Sequence, residues 1–450
     1  MHLRHPRRAV DRSKFKPAIE SLETRQLLSA YFVDTDSAYA ALNSKNFAAG
    51  DVVLLKGGAT FHGMLYLDSS DGGTAANPLT IGSYDAATGL QLSSAAPASA
   101  RATIAAGNSD GLFAYNVGGL TLTSLNVSGS GATSNTGSGL DFYSDLPSSM
   151  KLDGVTIDHV DVSGFGSYGI ALGSGNGGGY ANARITYVAA HDNGLAGITT
   201  YGPFAANSGQ YAHQNLYIGH VDAYNNAGFS GRSSPTGSGI VLQSVDGATI
   251  EYSTAYNNGA NNTNGSGPVG IWAWESNAIT IQYNEAYGNR SNGGDGGGFD
   301  LDGGVTNSVM QYNYSHDNAG SGFGLYEFTG AGKWENNVVR YNVSSNNGLH
   351  NNDAEISFWT AGAAINNAQV YGNTLVVSSA DEAIKLPSSN VVAQLWDNTI
   401  QIGGVVNTAG VGLTPVVTTP VIETPAPEPV VTPTPVTTPV ETPAPSAHLH

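Results

Sequence analysis

Between Gly298 and Gly304 the chain reads Gly-Phe-Asp-Leu-Asp-Gly-Gly. Side chains of an extended strand alternate between two faces, so Phe299 and Leu301 are expected to point one way and Asp300 and Asp302 the other, onto a shared solvent-facing surface. At a rise of about 3.3 Å per residue the two Cα atoms lie roughly 6.5 to 7 Å apart. Like charges that close raise one pKa, which leaves one carboxylic acid beside one carboxylate. Such a pair can protonate a leaving oxygen and activate a water, and its spacing suits an inverting glycoside hydrolysis better than the roughly 5 to 5.5 Å of a retaining one. The alternatives are a calcium site, with Asp295 joining Asp300 and Asp302 as oxygen donors, and a solvated acidic face without chemistry.

A repeat must hold that strand in place. Aligning Tyr187, His220, Tyr252, Tyr283, Tyr312, Tyr341 and Tyr371 gives spacings of 33, 32, 31, 29, 29 and 30. Six residues after each of the first six stands an asparagine: Asn193, Asn226, Asn258, Asn289, Asn318 and Asn347. Four residues after each of the first five stands a ring: His191, Tyr224, Tyr256, Tyr287 and His316. Like side chains recur at one period when each repeat stacks on its predecessor, about 4.8 Å away. Each repeat also carries a second strand opening on a small residue, as at Gly197-Ile198, Gly239-Ile240, Gly270-Ile271, Gly298-Phe299 and Gly322-Phe323. Strands without intervening helices, and asparagines in turns where they tolerate left-handed backbone, predict an all-β parallel β-helix. His191 and His316 fall on the ring ladder and read as stacked structural residues.

Stacking the second strands puts Thr199, Val241, Trp272, Asp300, Gly324, Ser357 and Lys385 in one outward row, and Tyr201, Gln243, Trp274, Asp302, Tyr326 and Trp359 in a parallel one. The two acids are then flanked by Trp272, Trp274, Tyr326 and Trp359, with Glu275, Glu327 and Glu355 at the margins. Aromatic faces stack on the C–H bonds of pyranose rings, so these four residues and Lys385 are candidates for substrate binding, against the alternative that the tryptophans pack under a loop. Glu327 is the reserve candidate for acid or base.

The 450 residues include 59 glycines, no cysteine and only 12% charged residues, and they contain no run apolar enough to span a membrane. Net charge is -18, and seven of the 17 Lys and Arg lie within residues 1–25, so the body is strongly acidic and nucleic acid is excluded as a partner. Without cysteine there are no disulfides, no thiolate nucleophile and no Cys-based zinc site. Four segments are expected: a basic leader at 1–30, a cap and first coils at 31–110, the parallel β-helix at 111–405, and a disordered Pro/Thr/Val-rich stalk at 411–450 holding ten of the 19 prolines. Within the cap, Asp36 or Ser37 is expected to start a short helix through Leu42 that ends near Gly50, followed by strands at 52–55, 79–81 and 102–104. We expect a monomer.

The segments Gly-Ile-Trp-Ala-Trp (270–274) and Ile-Thr-Ile-Gln-Tyr-Asn (279–284), together with the asparagine ladder, resemble the right-handed parallel β-helix, or pectin-lyase-like, superfamily over residues 31–405. Residues 22–28, Leu-Glu-Thr-Arg-Gln-Leu-Leu, are similar to the Leu-Glu-Pro-Arg-x-Leu-Leu motif of bacterial exported and surface proteins, with Thr24 in place of proline. The resemblance implies a secreted or cell-surface protein acting on polysaccharide, and it leaves three classes open: a glycoside hydrolase needing no cofactor, a lyase or epimerase with a Lys base and calcium, and a non-enzymatic adhesion module. The superfamily's Gly-His-Gly and Arg-x-Lys elements are missing from residues 31–405, so Asp300 and Asp302 do not carry over as its polygalacturonase residues. Aromatics concentrated beside acids favour an enzyme over an adhesin, and Lys385 as the one basic residue of the outward row, with few arginines, favours the hydrolase over the lyase.

Overall fold

The computed structural model describes residues 29–94, 96–204, 209–350, 353–377, 382–387, 389–402 and 405–406. The leader with its Leu-Glu-Thr-Arg motif and the Pro/Thr/Val-rich segment lie outside the described residues.

The chain winds as a right-handed parallel β-helix. Its strands form one sheet of 27 strands and a second of 11, and the strand pairs are parallel except where Gln401 and Ile402 meet Val406 and Val405. The second sheet takes one strand from each coil: β1 (Leu65–Leu67), β2 (Leu112–Tyr115), β3 (Leu140–Ser144), β4 (Tyr168–Ser174), β5 (Ala196–Tyr201), β6 (Ser238–Gln243), β7 (Val269–Trp274), β8 (Gly297–Leu301), β9 (Phe323–Phe328), β10 (Ile356–Ala361) and β11 (Ile384–Lys385). The inward ladder Ile198, Ile240, Ile271, Phe299, Phe323 and Ile356 is fully buried and runs through one continuous core. Burying each ring or branched side chain contributes about 1.5 to 3 kcal/mol, and the repeat multiplies that contribution coil by coil.

At the N-terminal end a strand at Ala30–Val33 pairs with Val52–Lys56. The helix α1 (Asp36–Ala40) follows, and its N-cap is Thr35, one residue before the expected position, with the hydroxyl accepting from the Ala38 N–H at 3.2 Å. It passes into a 3₁₀ turn at Ala41–Ser44 and stops well short of Gly50, because Tyr39 and Leu42 already reach the core within that length.

The asparagine ladder forms as expected. Asn226, Asn258, Asn289 and Asn318 each donate a side-chain N–H to the Oδ1 of the next asparagine at 2.8–3.0 Å, and each also donates to a carbonyl of the preceding coil. One expectation needs correcting. The left-handed residue of each turn is not the ladder asparagine but its predecessor: Asp192, Asn225, Asn257, Gly288, Asp317 and Asn346, at φ between 54° and 63°. The ladder side chain must turn inward to be buried, and the residue before it makes the bend. A second ladder, Asn284, Asn313, Asn342, Asn373 and Asn398, runs parallel to the first. It was legible as the Tyr-Asn pairs at 283–284, 312–313 and 341–342.

Candidate functional site

The outward rows form in the expected register. Trp272 pairs with Asp300, Asp300 with Gly324, Gly324 with Ser357, and Ser357 with Lys385. Tyr326 pairs with Trp359 in the parallel row. Asp302 follows β8 directly, and its N–H donates to the Ala273 carbonyl at 2.9 Å, which carries the ladder one residue past the strand.

A cleft of about 770 Å³ opens on this face, lined by Trp272, Trp274, Tyr326, Phe328, Phe358 and Trp359, with Asp295, Asp302, Asp353 and Lys385 as its charged groups. Trp359 is half exposed, and Tyr326 meets it edge-on at 6.3 Å while its hydroxyl shares a 2.7 Å hydrogen bond with Ser321. Trp274 faces Phe204 at 5.9 Å.

Several expectations change. Asp300 is not solvent-facing: it is 2% exposed at the floor of the face, and its Oδ1 has no hydrogen-bond partner among the described residues. The reason is steric. A Cβ on Gly324 would lie 2.9 Å from Asp300 Oδ1 and 2.8 Å from the Tyr326 ring, so the ring folds into the room the glycine leaves and roofs the carboxyl. Trp272 touches the cleft but is largely buried with Ala196, Val241 and Val269, and its indole N–H donates to Ser238 Oγ at 3.1 Å. Glu327 is buried away from the cleft, accepting from the Gly304 N–H at 3.2 Å and the Phe328 N–H at 2.7 Å. Glu355 ends the asparagine ladder instead of edging the cleft, taking hydrogen bonds from Asn347 Nδ2 (2.7 Å) and Ser344 Oγ (2.6 Å).

Burial pushes the Asp302 carboxyl up to about 7, against the opposing pull of its 2.7 Å hydrogen bond from the Gly303 N–H. Asp295 rises to about 8, first through burial and then through the negative charge of Asp353, although the Gly297 N–H donates to it at 3.1 Å. Asp300 is held well above the carboxylate range, through burial and then the charges of Asp302 and Asp295. Each carboxyl that ionises opposes its neighbours: the charge of Asp302 raises both Asp295 and Asp300. Asp353 is raised by burial but held back by Lys385, whose ammonium lies 3.5 Å from its carboxylate.

Among the described residues no group of three His, Asp or Glu side chains is arranged to hold a metal ion, and Asp300 lies beneath the surface. Sequence reasoning missed Asp353, which sits in a turn outside both rows, and it passed over Gly324, whose only signal was a glycine inside a strand.

The two histidines lie away from the cleft, stacked at opposite ends of the ladder through Tyr224, Tyr256 and Tyr287 with centroids 4.6–5.0 Å apart.

No family model matches the sequence, and no curated protein matches it. Among solved structures the chain is similar to the GH136 lacto-N-biosidase from Eubacterium ramulus, both as the native protein (TM-score 0.59, 19% identity, covering 83% of this chain and 68% of that one) and as its selenomethionine derivative (TM-score 0.61, 17% identity, with the same coverage). It is also similar to the A-module of the Azotobacter vinelandii mannuronan C-5 epimerase AlgE4 (TM-score 0.53, 16% identity, 86% of this chain and 97% of that one). At such identities the likeness establishes the fold: this is a right-handed parallel β-helix protein.

Proposed function

We propose that the protein is a glycoside hydrolase acting on polysaccharide, with Asp302 as general base and Asp295 as general acid. The observation that carries this reading is the convergence of two carboxyls, both raised by burial, on one aromatic-walled cleft. Burial raises both carboxyls and the charge of Asp302 raises Asp295 further, so that ionisation of one favours the protonated form of the other, leaving a proton to give and a site to receive. A water attacks the anomeric carbon as Asp302 takes its proton, while the glycosidic C–O bond breaks and its oxygen takes the proton of Asp295. Trp359 and Tyr326 supply ring surface for the sugar. The burial of Asp300 moves the acid role from that residue to Asp295. Asp300 becomes a positioning residue, neutral beneath Asp302. The scaffold suits the reading, since solved structures of this fold include a lacto-N-biosidase and a mannuronan C-5 epimerase.

The epimerase or lyase reading rests on Lys385, the one cation among the described residues lining the cleft. Its ammonium lies 3.5 Å from the Asp353 carboxylate, so it is engaged in an ion pair and not aimed alone into the cleft. The motif at residues 22–28 supports export to the cell surface or beyond, and among the described residues no helix is long and apolar enough to cross a membrane.

A panel of polysaccharides assayed in parallel for reducing ends and for the ultraviolet absorbance of unsaturated uronates separates the classes. Reducing ends without absorbance are expected, and Asp302→Asn and Asp295→Asn should each lower turnover by a factor of about 100 or more. Full activity in both variants, absorbance in place of reducing ends, or no turnover on any polymer would sink the assignment.

A further inference from the structure

We propose that the glycan of this cleft carries free amino groups, so that the substrate class is a polymer of amino sugars and not a polyuronate. The inference rests on the glycan reading of the cleft and names what that site selects. Its charges all bear on one sign. Asp295, Asp302 and Asp353 line it, and the one cation among the described lining residues is Lys385, whose ammonium lies 3.5 Å from the Asp353 carboxylate. Below them Asp300 is 2% exposed, with an Oδ1 that has no hydrogen-bond partner among the described residues. A uronate carboxylate entering this space would oppose the ionisation of the acids around it, and the one cation that could answer it is already engaged. An ammonium would do the reverse.

The walls favour the same sign. Trp274, Tyr326, Phe328, Phe358 and Trp359 line the cleft with rings, and Trp359 is half exposed. The face of an aromatic ring is electronegative, so it attracts an ammonium and repels a carboxylate, while its apolar carbons still stack on sugar C–H bonds. One set of rings thus serves both parts of an amino sugar. The cation would also prepare the acids. The ionisable groups around Asp302 are Asp300 on β8, Asp295 ahead of that strand, Glu275 just after β7, Glu327 on β9, Asp353 before β10 and Lys385 on β11, of which only Lys385 is positive. Burial holds Asp302 up to about 7, against the pull of the Gly303 N–H. An ammonium beside it stabilises the carboxylate form, and a proton passes from Asp302 to the solvent. The charge then on Asp302 raises Asp295 further. Binding of a cation therefore leaves an ionised base beside a protonated acid, whereas a neutral sugar leaves both carboxyls as they were.

The test is calorimetric titration of the full chain at pH 6, where the amines of the ligand and the Asp302 carboxyl are both largely protonated, with the tetramers of glucosamine, N-acetylglucosamine and galacturonate, each in two buffers of different ionisation enthalpy. The same three are assayed for reducing ends. The glucosamine tetramer is expected to bind at least about tenfold tighter than either of the others, to release between about half and one proton, and to weaken as salt is added. Asp302→Asn should abolish the proton release, with the melting temperature showing that the variant is folded, and Trp359→Ala should weaken binding about tenfold yet keep the release. Equal or tighter binding of the acetylated or the uronate tetramer overturns the inference, as does glucosamine binding without proton release; cleavage of the preferred tetramer would then leave the hydrolase standing. Glucosamine binding with proton release but no cleavage upholds the recognition of amino groups and counts against hydrolysis. If none of the three binds, the inference fails, and turnover of any other polymer decides whether hydrolysis survives.

Discussion

Gly324 shows how much of the site one missing side chain decides. Its lack of a Cβ lets the Tyr326 ring roof Asp300, and the roofed carboxyl lies under Asp302 with a pKa well above the carboxylate range. The atoms a new methyl would meet belong to side chains, a ring and a carboxyl, which can move without unwinding the coil. Gly324→Ala should therefore keep the fold and displace the site. We expect turnover to fall on the order of 10- to 100-fold with a melting temperature close to that of the parent, measured by steady-state kinetics beside thermal denaturation. A variant with parental turnover would show that the packing of Tyr326 against Asp300 has no part in the chemistry.

The coil is held by its ladders, and the two kinds differ in what they contribute. Asn289 is 1% exposed and makes four ladder contacts: it accepts from the Asn258 N–H and Nδ2, and it donates to the Ala255 carbonyl and to Asn318 Oδ1. Replacing it with alanine leaves several buried donors and acceptors without partners, and Asn289→Ala should destabilise by about 3 kcal/mol in chemical denaturation. The outer ring ladder, Tyr252, Tyr283 and Tyr312, stacks at 5.2–5.3 Å with Tyr252 and Tyr312 exposed and Tyr283 partly so, and each of its residues sits at a left-handed φ of 52–56°. A tyrosine there is strained where glycine would not be, so Tyr283→Gly loses stacking while relieving the backbone, and its cost should stay below that of Asn289→Ala. The reverse order would mean that ring stacking, not amide pairing, fastens coil to coil.

Across the whole molecule the buried acids set the response to pH. Asp295 near 8, and Asp302, Glu327 and Asp141 near 7, all have folded-state pKa values raised above the ordinary range, chiefly by burial. Below about pH 4 these groups are protonated in both states and carry no penalty. Between about pH 4 and pH 8 the unfolded chain ionises first, so stability is lost as pH rises. His191 and His316 act in the same direction: burial disfavours their charge, but hydrogen bonds to Asp161 and Asp192, and to Glu285 and Asp317, leave their pKa values raised. Asp145 and Asp317, held low by their hydrogen bonds to Tyr115 and His316, act oppositely and lose their contribution as pH falls below about 4. With a net charge of -18 adding repulsion at high pH, the melting temperature should peak near pH 4 to 5 and decline towards pH 8. Asp295→Asn should raise it at pH 8 and leave it unchanged at pH 4.5. A melting temperature that climbs with pH over that range would contradict the burial of these carboxyls.

The period, the inward ladder and the outward register were all present in the sequence. A stacked coil fixes each strand against its neighbour, so Trp272, Asp300, Gly324, Ser357 and Lys385 had to fall in line once the repeat was aligned. Alternation along a strand is a local property, and local properties survive in the sequence. Depth is not local. Whether an outward side chain meets water depends on what its neighbours on other coils do with their own bulk, and only the folded chain showed Tyr326 closing over Asp300, Trp272 retreating beneath Ser238, and Glu327 and Glu355 turning to backbone amides and the ladder. Turns escape the repeat for a related reason. Asp295 and Asp353 reach the cleft from segments with no fixed register; nearness in sequence already put Asp295 beside Asp302, but the arrival of Asp353 was decided by tertiary structure alone.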